Sequence, residues 1–239
     1  MISLYDLAIY LGMYQLAWWL YRTLSLVFRT FFGTKCTTQR YGHDSWAVIT
    51  GGTGRLGRAT ALHLAREGFN IVLIAKTLPK LNQVAKEIQE MTQKLNKPVK
   101  TRVIVQDFSK DFNAEAFEKL YNDKLSDIDI SILINNLGIG QPGSFLEAKE
   151  EDLHDVVTVN TYAVVLLTQQ VIKSFRKRYE QRKQRSLMVN TSDMAAIVPS
   201  PYHATYAGTK IFGDFVAQGL QHELYKYGVD ICAWRAGEI

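Results

Sequence analysis

Apolar positions follow two regimes along this chain. From residue 7 to residue 32 (LAIYLGMYQLAWWLYRTLSLVFRTFF) they are nearly continuous and free of proline, which predicts one long helix. Its uncharged run, Leu7 to Tyr21, is shorter than the roughly 20 residues a spanning helix needs. Gln15, Arg22 and Arg29 recur every seven residues and would form a narrow polar seam, so spanning, lying flat in an interface and packing on another subunit are all open. Trp18, Trp19 and several tyrosines suit an interface, and Lys35 and Arg40 favour keeping the globular domain on the cytoplasmic or matrix side. Asp6 stands where a secretory signal would carry positive charge, which argues against a cleaved leader.

From Trp46 onward, short apolar runs alternate with stretches of helical period. Strands are predicted over residues 47–50, 70–75, 101–105, 128–134, 187–191 and 229–234. Helices are predicted from the glycine turn to Gly68 and over residues 77–94, 152–178 and 206–225. Such alternation implies a doubly wound parallel sheet with helices on both faces, an α/β domain over residues 41–239 behind an N-terminal helical segment, 1–40.

The first predicted strand runs into TGGTGRLG. Glycines at 51, 54 and 57 allow a tight turn and let phosphate oxygens approach backbone amides at the positive end of the next helix, the arrangement of a Rossmann-type dinucleotide site. A glycine-rich strand-to-helix turn can also be purely structural, so the later residues decide.

Composition adds limits. The chain has 239 residues, 47% hydrophobic, with net charge +5, which suits a folded protein near an anionic membrane or acidic partner. Two cysteines, Cys36 and Cys232, imply no disulfide framework and a reducing surrounding. The five histidines show no metal-ligand spacing with them, and no metal is expected. Nothing interleaves the basic run at 173–185 with aromatic stacking platforms in a nucleic-acid pattern, so no nucleic acid is expected.

Tyr206 and Lys210 lie four apart at the start of a predicted helix and share a face. A lysine beside a phenol would lower the tyrosine pKa and ready it for proton transfer near neutral pH.

With these residues in order, the sequence resembles the short-chain dehydrogenase/reductase family over nearly all of residues 45–239. The resemblance rests on TGGTGRLG, Asp107, INNLGIG at 134–140, Asn160, the Thr191-Ser192 pair and YAGTK at 206–210. Its membrane-bound branch of very-long-chain 3-oxoacyl-CoA reductases and 17β-hydroxysteroid dehydrogenases is similar in the N-terminal helix, in WAVITG and in LIAKTLPKLNQVAKEI. The resemblance implies Tyr206 as general acid, Lys210 as its partner and ribose ligand, and Asn160 as anchor of a water; Ser192 is the candidate for the hydroxyl that meets the substrate oxygen, one residue away from the family's position. It also implies cofactor contacts from Gly51, Thr53, Gly54, Leu56 and Gly57, an adenine contact from Asp107, and Asn135 and Gly138 lining the cofactor.

Cofactor choice follows from charge. Arg55 in the turn and Lys76 after the second strand stand where an NAD enzyme usually offers a carboxylate, which favours a 2′-phosphate and hence NADP(H). The plain alternative is that both cations point into water.

Departures bear on activity. The residue thirteen before the tyrosine is Asp193, where the family has a hydroxyl donor; Ser192 could serve after a small backbone adjustment, whereas a carboxylate would repel a developing alkoxide. Ala236 replaces a proline, and the sequence stops at Ile239, before the family's lid and seventh strand, so either it is a fragment of a longer chain or the protein lacks the usual lid and leaves a sheet edge that something else must cover. Residues 173–185 (KSFRKRYEQRKQR) read as a solvated helix end or a contact for anionic lipid.

Two functions are therefore expected. One is a membrane-associated NADP(H)-dependent reductase of a 3-oxoacyl or steroid-like carbonyl, at the endoplasmic reticulum or the mitochondrial inner membrane. The other is a nucleotide-binding subunit of a membrane complex without turnover.

Overall fold

The computed structural model describes residues 3–32, 36–110, 113–198 and 200–236. The chain divides into two units, Met1–Cys36 and Thr37–Ile239. The first is helix α1 (Leu4–Phe32). Its apolar side chains, Leu11, Leu16, Trp19 and Phe28 among them, are exposed, as are Gln15 and Arg22, whose guanidinium lies 4.7 Å from the Trp18 ring centre. Lys35 lies outside the described residues. Among the described residues, the stretch long and apolar enough to cross a membrane is Glu150–Arg182, and half of its most apolar 18-residue portion is buried in the fold.

The second unit is a six-stranded, wholly parallel sheet in the order β3-β2-β1-β4-β5-β6. Its strands are β1 (Trp46–Thr50), β2 (Asn70–Ala75), β3 (Thr101–Val105), β4 (Ile130–Asn135), β5 (Ser186–Asp193) and β6 (Val229–Ala236). Every residue of β2 and β4 is buried, which is why Ile71–Ala75 and Ile132–Ile134 read as apolar runs rather than alternating ones. Chain direction across the sheet reverses between β1 and β4, and the carboxyl ends of those neighbours open a crevice.

Helices α2 (Thr38–Tyr41), α3 (Arg55–Glu67), α4 (Leu78–Lys94) and α5 (Ala114–Lys124) come first. Helix α4 buries Leu81, Val84, Ala85 and Ile88, a stripe with the helical period. Helix α5 is absent from the sequence expectation; Asn113 caps it by accepting the Ala116 N–H at 2.7 Å, and Phe117 and Leu120 fasten it to the core.

The long helix expected over residues 152–178 is three pieces: α6 (Glu150–Val157), a π-helical turn (Thr158–Tyr162) and α7 (Ala163–Arg182). Apolar periodicity survives that insertion, so the sequence pattern hides it. Helix α8 (Ala204–Leu224) packs on β5 and β6.

The basic run at 173–185 is not simply a solvated helix end. Arg178 is buried and donates to Asp129 Oδ1 (2.9 Å), Gln184 Oε1 (2.9 Å) and the carbonyls of Tyr41 and Arg185 (2.5 Å each). Arg185 pairs with Asp230, which also accepts from Arg40 and the Tyr41 hydroxyl, so the run ties α2 to β6 and to the end of α7.

Candidate functional site

The glycine turn is built around two close approaches. Gly51 has φ +65°, and a Cβ on Gly57 would collide with the Gly51 carbonyl oxygen. Thr50 and Asn136 lock that turn to the end of β4: the Thr50 hydroxyl accepts the Asn136 and Leu137 N–H groups at 3.0 Å each, and Asn136 Nδ2 donates to the Thr50 and Gly51 carbonyls at 3.1 and 3.2 Å. Neither residue is singled out by the sequence alone, although Thr50 opens TGGTGRLG and Asn136 stands in INNLGIG beside Asn135.

Beside this turn lies a cleft of about 330 Å³. Gly51, Thr53 and Gly54 form one wall, Lys76, Thr77, Lys80 and Asp107 another, and Asn136 to Ile139 a third. Asp107 accepts the Ser109 N–H and hydroxyl at 3.2 and 2.9 Å. Burial alone would raise the Asp107 pKa, but the Ser109 bonds and the Lys76 and Lys110 charges outweigh it and hold the carboxyl below its ordinary value.

Three of the expected cofactor contacts, Arg55, Leu56 and Gly57, occupy the first turn of α3 and do not line the cleft; Gly57 acts by permitting close packing. Asn135 is a clearer correction. Its side chain is turned inward and donates to Thr168 Oγ1 (2.9 Å) and Asn190 Oδ1 (2.8 Å), because on a strand its neighbour Asn136 takes the opposite face.

At the far end of the cleft, Gly138 leaves room for Lys210: a Cβ there would lie 2.8 Å from the ammonium. Asn160, in the π-turn, accepts the Ile139 N–H at 2.9 Å and donates to the Ile139 carbonyl at 2.8 Å and to Thr209 Oγ1 at 3.0 Å. Thr209 in turn donates to the Tyr206 carbonyl at 2.7 Å. A π-turn takes one extra residue and widens the helix locally, and here it carries Asn160, which reaches both the β4 loop and the first turns of α8.

Tyr206 and Lys210 share a face of α8, with the ammonium 5.4 Å from the phenol ring centre and 3.3 Å from the Thr191 carbonyl. The expected depression of the Tyr206 pKa is not found. Burial pushes the phenol up, and the charge of Asp193 and its hydrogen bond with the hydroxyl add to that, to about 12. Burial lowers the Lys210 pKa, against the opposing pull of Asp193 and Asp214.

Ser192 is likewise not brought to the phenol. Its Oγ is buried without a hydrogen-bond partner, whereas Asp193 Oδ2 accepts the Tyr206 hydroxyl at 3.3 Å. Adjacent strand residues face opposite ways, so one of the two must turn away. Among the described residues no cluster of His, Cys, Asp and Glu could hold a metal ion.

The family model described as short chain dehydrogenase matches residues 45–239. A very-long-chain 3-oxoacyl-CoA reductase of Schizosaccharomyces pombe is 37% identical over 213 residues, which cover 87% of this chain and 60% of that protein. The chain therefore spans about three-fifths of the length of that relative. Among solved structures, the bulky-bulky ketone specific alcohol dehydrogenase from Comamonas testosteroni is 29% identical with TM-score 0.70, covering 82% of this chain and 75% of the other. A short-chain dehydrogenase from Sphingobium yanoikuyae in complex with NADPH is 26% identical with TM-score 0.69, covering 81% and 70%.

Proposed function

The chain belongs to the short-chain dehydrogenase family, and from that premise we propose that it reduces a ketone of the 3-oxoacyl-CoA or steroid-like class with NADP(H). The observation that carries this reading is the cleft that runs from the glycine turn, past Lys76, to the wall formed by Gly138 and Ile139, beside which Lys210 and Tyr206 stand.

The residues fit a dinucleotide. The close approach at Gly51 and Gly57 leaves backbone room for a pyrophosphate at the start of α3, and the missing Cβ of Gly138 leaves room beside Lys210. Lys76 and Lys80 would receive a 2′-phosphate, Asp107 an adenine amino group, and Lys210 the ribose hydroxyls. A bound NADPH would supply hydride to the carbonyl carbon.

Tyr206 would then give its hydroxyl proton to the carbonyl oxygen, leaving an alcohol and a phenolate that solvent reprotonates. Lys210 would stabilise that phenolate by charge, and Asn160 would hold the 139 loop and the first turns of α8 in register for the transfer. The S. pombe relative points to a 3-oxoacyl thioester as substrate. We also propose that α1, with apolar residues exposed along its length, seats at a membrane where such acyl chains partition.

Purified protein given NADPH or NADH and a long-chain 3-oxoacyl-CoA tests this. The reading expects NADPH oxidation, with Lys76→Ala weakening NADPH about tenfold and leaving NADH unchanged. Bound cofactor with no oxidation would reject the reductase, and equal affinities insensitive to Lys76→Ala would reject the choice of NADP(H).

A further inference from the structure

Asp193 closes β5 and is held at both carboxylate oxygens. Oδ1 accepts the Ala195 N–H at 2.8 Å and so caps the 3₁₀ turn Met194–Ala196, while Oδ2 accepts the Tyr206 hydroxyl at 3.3 Å. The hydroxyl that could have donated to a substrate, Ser192 Oγ, is shut inside the fold. An acceptor therefore stands where a carbonyl oxygen would have to be received. The other charged groups about this point are Lys210 and Asp214 on α8, with Asp214 paired to Arg235 of β6 at 2.7 Å; the His203 ring lies 6.4 Å from the Tyr206 ring.

We propose that Asp193 is a positioning residue that engages the Tyr206 hydroxyl as its own hydrogen-bond donor, so that a substrate carbonyl must take the phenol from Asp193 before its oxygen can be protonated. This rests on the reduction proposed above. A phenol has one proton to donate, so the contact with Asp193 and the contact with substrate exclude each other. The oxygen that competes is charged, which makes it a stronger acceptor than a neutral ketone. The fold thus keeps the phenol protonated and occupied until a substrate seats well enough to displace the carboxylate.

Asp193→Asn is the informative change. Its Oδ1 still caps Ala195, while an amide donor replaces the oxygen that faces Tyr206. Asp193→Ser, which offers a hydroxyl, is the second variant should the first fold poorly. The direct readout is the tyrosinate absorbance of Tyr206 alone, taken as the difference between each protein and its own Tyr206→Phe partner across alkaline pH. We expect the Tyr206 midpoint to fall by one pH unit or more in either variant; an unmoved midpoint overturns the proposal. In turnover, kcat/KM for ketone reduction should rise about tenfold with cofactor affinity unchanged, the equilibrium equivalent of one hydrogen bond to a charged group. A fall in kcat/KM in both variants would also overturn it, because a competitor for the phenol can only slow the reaction by its presence. If no protein of the set reduces ketone, the proposed reduction fails, and the absorbance midpoint still decides whether Asp193 governs the phenol.

Discussion

Asn160 holds both backbone groups of Ile139, taking its N–H on Oδ1 at 2.9 Å and giving Nδ2 to its carbonyl at 2.8 Å. The same amide reaches Thr209, so a single buried side chain fixes the cleft wall and the turn that carries Tyr206. Asn160→Ala should cost about 1–3 kcal/mol, since it strands buried backbone and hydroxyl partners. Calorimetry should show the drop, and cofactor titration should show weaker binding, because the 136–139 wall loses its tie; no change in either would contradict this role.

Gly57→Ala places a methyl group against the Gly51 carbonyl oxygen, a backbone atom with no rotamer to retreat into. The turn must open, at a cost of about 1–3 kcal/mol. Dinucleotide affinity is expected to fall at least tenfold, while Gly143→Ala, whose Cβ meets nothing within 4 Å, loses only what its positive φ of 147° costs and leaves binding intact.

Tyr206 is pushed up to about 12 by burial and Asp193. A raised phenol pKa keeps the proton on, so the proton-donating direction should hold level through neutral and moderately alkaline pH. Alcohol oxidation needs the phenolate and should keep rising with pH across the same interval. Rate profiles in both directions check this; a ketone-reduction rate that falls through pH 7 to 9 in step with one ionisation lost on Tyr206→Phe would contradict it.

Arg178 is buried among Asp129, Gln184 and the carbonyls of Tyr41 and Arg185. Arg178→Met removes every one of those donors and should destabilise the domain by about 1–3 kcal/mol, the usual cost of stranding buried acceptors, since Asp129 is part-exposed and keeps Arg182 as a partner. Chemical denaturation should show it, with cofactor affinity of the folded fraction unchanged because α2 and the end of α7 do not line the cleft.

Much of this was legible in the residues. Asn70–Ala75 is a strand wherever it is read, because the five consecutive apolar residues after Asn70, three of them Ile or Val, leave no helical face, and TGGTGRLG announces its turn through glycines that the backbone geometry requires. Helix α5 was missed because its stripe is short, Phe117 and Leu120, and its strongest mark is the Asn113 cap. The π-turn at Thr158–Tyr162 was missed because one extra residue per turn leaves apolar spacing nearly unchanged. At the site, sequence order placed Asn160, Tyr206 and Lys210 together, but the facing of single side chains depended on strand parity: Asn135 turns in where Asn136 turns to the glycine turn, and Ser192 turns in where Asp193 meets the phenol. The basic run misled because Arg178 is buried, which a tally of charge does not reveal.

The most direct measurement is NADPH consumption with a long-chain 3-oxoacyl-CoA by the wild-type protein and by Tyr206→Phe, with cofactor affinity measured for both. A proton donor in the transition state contributes about 10²–10⁴-fold, so the rate should fall by that range while NADPH binds equally well. Equal rates in the two proteins would contradict the account.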